Sequence, residues 1–149
     1  MKSPIYVDAN VLIYFIEGSQ IFEKAARALF SCVAERDLLM RTSEITVAEC
    51  LYGTHRLRRE VLAQQYQQLF FEIGAVDLIA VDLDILEHAA LIGADQRLKL
   101  VDAIHLASAV VSGCRTFVTN DKRFRPLNGI EIVQLLDVGV AIERGRETD

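Results

Sequence analysis

Apolar and polar positions follow two periods along this chain. Five short runs, PIYVD (4–8), LLMRT (38–42), LIAV (78–81), RTFVT (115–119) and IEIV (130–133), have the length and the β-branched content of buried strands. Between them, apolar residues recur three and four apart, which is the helical period. In FEKAARALFSCVAE, residues Phe22, Ala26, Leu29, Phe30 and Val33 share one face, so 20–36 reads as a helix. By the same rule 10–17, 44–52, 56–73, 83–94 and 100–112 read as helices, with stops expected at Gly53 and Gly113. The patterned core spans about 3–135, and 138–149 reads as a C-terminal tail. Strands that alternate with helices predict an α/β fold, in which a parallel sheet of about five strands carries helices on both faces. In such open sheets, sites form beyond the carboxyl ends of the strands.

Composition narrows the class. The 149 residues suit one domain, 1–149, able to bury roughly 70% of the surface of its unfolded chain. A hydrophobic fraction of 52% excludes a largely disordered protein, and 2 Pro and 8 Gly leave no long linker. Cys32, Cys50 and Cys114 are odd in number, widely spaced and set among apolar neighbours, so buried free thiols of a reducing cytoplasm are expected. No basic leader precedes the first apolar run, and acids interrupt every apolar stretch short of the ~20 residues of a membrane span. A cytoplasmic protein without membrane contact is the expectation. The net charge of −5 argues against a general nucleic-acid binder. If the chain handles nucleic acid, local basic patches or bound metal must offset its acids.

Four acids stand out by context: Asp8 in VDAN, Glu49 in ITVAECLYG, Asp102 in LVDAIHLASA and Asp121 in FVTNDKRF. A buried lone carboxylate is costly and wants a partner. Each acid also has a plain structural reading. Asp8 can cap the helix that follows it. Thr46 to Glu49 fits a capping box. Asp102 suits the start of its helix, and Asn120-Asp121 suits a turn. Those readings must hold at four separate places, and they leave unexplained the scarcity of basic residues near Asp8, Glu49 and Asp102 in sequence. Divalent cations would supply the missing charge, because hard ions prefer carboxylate oxygen. Two such ions can clamp the attacking and leaving oxygens of a phosphodiester. No phosphate-binding GxxxxGK[ST] loop is present, nor a recognisable Ser/His/Asp set.

The ordered set VDANVLIYFIEG, TVAECLYG, LVDAIHLASA and FVTNDKRF resembles the PIN-domain family of nucleases, and within it the VapC toxins of toxin–antitoxin pairs. The resemblance runs from Ile5 to about Val133. It implies a five-stranded parallel sheet and RNA cleavage dependent on Mg²⁺ or Mn²⁺. It places Asp8, Glu49, Asp102 and Asp121 as catalytic, metal-binding acids, with Asn10, Thr119 and Asn120 as supporting polar positions. It also implies a cognate antitoxin as partner, which restrains the toxin by covering the site, and a homodimer. The helices at 20–36 and 56–73, richer in apolar residues than one sheet face needs, would carry those contacts.

Other residues have weaker claims. His105 lies three positions after Asp102, near the same helix face, as a ligand or proton donor, or as a histidine of the core or one that supports a ligand from behind. Lys122, Arg123 and Arg125 follow Asp121 and are candidate contacts to an RNA backbone, against the reading of a solvated turn. Arg56, Arg58 and Arg59 read as a solvated helix face, and Phe124 as packing rather than a base-stacking platform. A PIN nuclease of RNA processing and a non-catalytic RNA- or protein-binding module are the alternative functions. A phosphatase would want DxD where this chain has Asp8-Ala9-Asn10, and a phosphoacceptor domain would want a Lys that Thr119-Asn120-Asp121 does not supply.

Overall fold

The computed structural model describes residues 1–127 and 129–147. Strands β1 (Ile5–Val7), β2 (Met40–Ser43), β3 (Asp77–Ile79), β4 (Thr116–Thr119) and β5 (Glu131–Gln134) form one sheet in the order β3-β2-β1-β4-β5. Every pairing is parallel, with Ile5 opposite both Met40 and Thr116. The helices are α1 (Ala9–Glu17), α2 (Glu23–Glu35), α3 (Glu44–Arg56), α4 (Glu60–Gln67), α5 (Leu83–Gln96), α6 (Leu100–Val111) and α7 (Val138–Glu147). The α/β fold class expected from the sequence is the one observed.

The period of two in the strands divides the core. Ile5, Val7 and Val118 point to one face, where they meet Leu12, Leu29, Tyr66 and Phe70. Tyr6 and Phe117 point to the other, against Leu106 and Ala109 of α6 and against Phe124. From β1 the chain steps to β2 and β3 on one side, then returns to place β4 on the other side of β1. The carboxyl edge between β1 and β4 is therefore the topological switch point, where open parallel sheets part their loops and leave a crevice. Asp8 follows β1 there, and Thr119 ends β4.

Several boundaries differ from the sequence reading. Gly53 does not stop α3, which runs on to Arg56; glycine ends a helix when it turns left-handed, and Gly53 does not. The break falls at Arg58, with φ of 53°, so the next helix begins at Glu60 rather than 56. Its expected last turns, Gln68–Ile73, wind as a π-helix. Gly113 has φ of 75° and does follow the end of α6. The segment read as a tail is α7 as far as Glu147, with Val138 buried and Ile142 packed on the core that holds Leu29 of α2; residues 148–149 lie outside the described residues. Two glycines hide this helix in the sequence, and packing on α2 stabilises it where propensity does not. Among the described residues no helix is long and apolar enough to cross a membrane.

Helices α5 and α6 meet closely. A Cβ added at Gly93 would stand 3.0 Å from Ala103 Cβ, in a wholly buried contact. Overpacking costs about 1–3 kcal/mol, against a gain of about 0.5–1 kcal/mol in helix propensity. Gly93→Ala is expected to lower stability by about 1 kcal/mol net in urea unfolding. Unchanged or raised stability would show slack between the two helices.

Candidate active site at the β1–β4 edge

Asp8 is 6% exposed and caps α1, its Oδ1 accepting from Asn10 N at 3.2 Å. Its Oδ2 accepts from the buried Thr119 hydroxyl at 2.8 Å. The Thr119 oxygen in turn accepts from Asp121 N at 3.0 Å, which ties the loop after β4 to the end of β1. The capping reading and the site reading of Asp8 thus hold together. Asn10 contributes its backbone N–H to that cap and is exposed at the second helical position. Both partners of Asp8 are neutral donors, and among the described residues no Lys, Arg or His pairs with it.

Asp102 and Asp121 are bridged by one guanidinium. Arg123 Nε donates to both Asp121 oxygens at 3.0 Å, and its Nη2 donates to Asp102 Oδ2 at 3.0 Å. Asp102 lies in the first turn of α6, and Asp121 also accepts from Arg123 N at 2.9 Å, so the helix-start and turn readings are both realised. The Arg123 hydrogen bonds hold the Asp121 carboxyl below its usual range. Burial pushes the Asp102 carboxyl up, Arg123 opposes that, and the negative charges of Asp121 and Asp8 add to it. Three acids from three elements therefore share one electrostatic neighbourhood.

Glu49 stands apart from that trio. It comes from α3, which is capped by Ser43 accepting from Ile45 N at 3.2 Å. Thr46 instead shares a hydrogen bond with Thr42 at 2.7 Å, so the capping box expected between Thr46 and Glu49 is not formed. Glu49 Oε1 lies 2.5 Å from Nε2 of His105, one turn along α6 from Asp102. His105 is buried, and its Nδ1 lies 2.7 Å from Tyr6 Oη. Nothing in the pattern of the chain points to Tyr6, whose hydroxyl meets α6 only once the sheet is assembled. Tyr14 of α1 was equally hidden; Asn120 Nδ2 donates to its hydroxyl at 3.3 Å.

Among the described residues no three Asp, Glu, His or Cys side chains converge on one point as a bound ion would hold them. The donor set nonetheless suits a hard cation. It consists of carboxylate oxygens, one of them buried without a basic partner, and two of them already gathered around a cationic side chain. Of the basic loop, Lys122 is exposed and Arg125 is tied to α5 through Asp95 O at 3.0 Å and Gln96 Oε1 at 3.0 Å. Phe124 is buried against Phe117, ring centroids 4.8 Å apart, so it packs. Cys32, Cys50 and Cys114 are buried free thiols, and burial raises the Cys50 thiol to about 12.

Fold and site together describe a parallel α/β domain with acids at its switch point. The PIN domain family model matches residues 5–129, and the chain belongs to that family. No curated protein matches it. Among solved structures it is similar to a toxin–antitoxin complex from Klebsiella pneumoniae, at TM-score 0.64 and 23% identity over 88% of this chain and 97% of that one. It is also similar to VapBC2 of Rickettsia felis bound to a promoter DNA fragment, at TM-score 0.69 and 14% identity over 87% and 97%. VapC20 of Mycobacterium tuberculosis, a toxin that cleaves the sarcin-ricin loop, aligns at TM-score 0.62 and 21% identity over 76% and 86%. At these identities the likeness is one of fold.

Proposed function

We propose that this protein is a metal-dependent endoribonuclease and the toxin of a toxin–antitoxin pair. The observation that carries the reading is Asp8: a buried carboxylate without a basic partner among the described residues, at the switch point of the sheet, beside Asp102 and Asp121. The family and the toxins among the similar structures support it. Asp8, Asp102, Asp121 and Glu49 would hold Mg²⁺ or Mn²⁺. When bound, the ion supplies Lewis acidity that activates a water and offsets charge on the phosphate.

The chain's own residues do the positioning. The Thr119 hydroxyl and the Asn10 N–H fix both oxygens of Asp8, so its carboxylate keeps one orientation. Asp121 is fixed through its own N–H on Thr119. Lys122, Arg123 and Arg125, on the loop beside the acids, contact the RNA backbone and set its register without reading sequence. The cognate antitoxin covers the apolar side chains left exposed around α4, namely Leu57, Val61, Phe71 and Ile73, and a homodimer forms through the same region. The site of action is the cytoplasm.

The test is cleavage of total cellular RNA by antitoxin-free protein with Mg²⁺ or Mn²⁺, beside an EDTA control. Discrete bands that EDTA removes are expected. Cleavage that survives EDTA would overturn the metal requirement. Folded protein that binds RNA without cutting it would favour the binding-module alternative. The same ions are expected to raise the melting temperature of the apo protein, because ligands of the native state stabilise it; no shift at millimolar Mn²⁺ would count against a carboxylate pocket.

A further inference from the structure

Glu49 is the most exposed of the hydrogen-bonded pair it forms, its side chain 37% exposed against 2% for His105. A glutamate with that freedom samples several rotamers unless something holds it. What holds it here is a chain of buried groups that starts in the sheet. Ser43 N donates to Tyr6 Oη at 3.1 Å, Tyr6 Oη lies 2.7 Å from His105 Nδ1, and His105 Nε2 lies 2.5 Å from Glu49 Oε1. The Tyr6 ring is clamped against Phe117, centroids 5.1 Å apart and planes within 5°, and meets the His105 ring edge-on at 6.0 Å.

We propose that Tyr6 and His105 are positioning residues that fix the Glu49 carboxylate against α6, one turn from Asp102, with His105 in the Nε2–H tautomer. The direction follows from the donor inventory. An ionised carboxylate only accepts, so Nε2 donates to Glu49. The Ser43 N–H occupies one lone pair of the Tyr6 oxygen, and in a neutral ring protonated at Nε2 the Nδ1 atom only accepts, so the phenolic proton goes to Nδ1. A phenol keeps its proton at neutral pH, so Tyr6 can donate there. Asp102 and His105 sit one turn apart on α6, so the helix that carries one acid also orients another from α3. The functional part of the inference rests on the nuclease reading; the hydrogen-bond chain does not.

The test separates the two. Ring ¹⁵N spectra of His105 report its tautomer with no metal or RNA present. Protonation at Nε2 is expected, with resonances that move in both Tyr6→Phe and Glu49→Gln. An Nδ1–H tautomer, or resonances indifferent to Glu49→Gln, would overturn the chain. For function, His105→Gln keeps an N–H near the place of Nε2, whereas His105→Leu and Tyr6→Phe remove links. Outer partners of this kind affect activity or metal affinity by about 10- to 100-fold. That loss is expected in kcat or in the Mn²⁺ half-saturation for the Leu and Phe variants, with KM for RNA changed less and much of the loss recovered in the Gln variant. A Gln variant no better than Leu, with Tyr6→Phe equal to wild type, would reduce His105 to packing. If wild type neither binds Mn²⁺ nor cuts RNA, the nuclease reading fails, and the ¹⁵N result still decides the chain.

Discussion

Asp8→Asn is expected to lower RNA cleavage roughly 10³-fold, the scale of losing a main electrostatic element of a site, while the protein stays folded. The substitution keeps the shape of the side chain and removes the charge. The amide oxygen can still cap α1 by accepting from Asn10 N. The amide nitrogen then faces the Thr119 hydroxyl, which has donated to Oδ2 and must now accept. That rearrangement costs about 1 kcal/mol, the scale of one hydrogen bond. It is offset in part because Asp8 no longer pushes against Asp102. A melting temperature near wild type, together with a lost Mn²⁺ shift and lost cleavage, is the expected set. Retained cleavage would remove Asp8 from the metal site.

Much of the edge was legible in the sequence, for a physical reason. Asp8, Glu49 and Asp102 interrupt runs that are otherwise mostly apolar, and a carboxylate survives in such a run only with a structural or chemical reason. Asp8 has both: one oxygen caps a helix and the other is held by Thr119. The division of the acids was not legible. Whether Glu49 reaches back to Thr46 or across to α6 depends on where α3 starts. Ser43 as cap starts α3 at Glu44, which puts Thr46 inside the helix and frees the Glu49 side chain. The partners of the acids were hidden for a related reason. Tyr6 reads as one more apolar strand residue, and its hydroxyl gains a role only because β1 is central and α6 packs behind it. Likewise α7 was missed because its glycines weaken the local signal and its stability comes from α2, more than a hundred residues earlier.

Arg123 carries the second large expectation. Its position in the sequence makes it a candidate RNA-backbone contact, and in the structure it is engaged with Asp102 and Asp121. On the proposed reading these two placements are successive rather than exclusive. A guanidinium and a divalent ion want the same oxygens, so an entering ion competes with Arg123, and an Arg released beside the acids is well placed for a phosphate. Replacing Arg123 by Ala and then by Glu should therefore move cation binding and RNA binding in opposite directions. The Mn²⁺ concentration at half-maximal thermal shift is expected to fall along Arg, Ala, Glu by about tenfold in all, since the charge of a site sets its affinity for hard ions. RNA affinity is expected to weaken along the same series, with a shallower salt slope as one phosphate contact is lost. The apo protein should melt lowest in the Glu variant, where Asp121 loses the hydrogen bonds that favour its charged form and gains another acid nearby. The opposed directions make the outcome decisive. A variant whose site had merely become disordered would lose cation and RNA together, and that result would mean Arg123 holds the acids in place rather than competing for them.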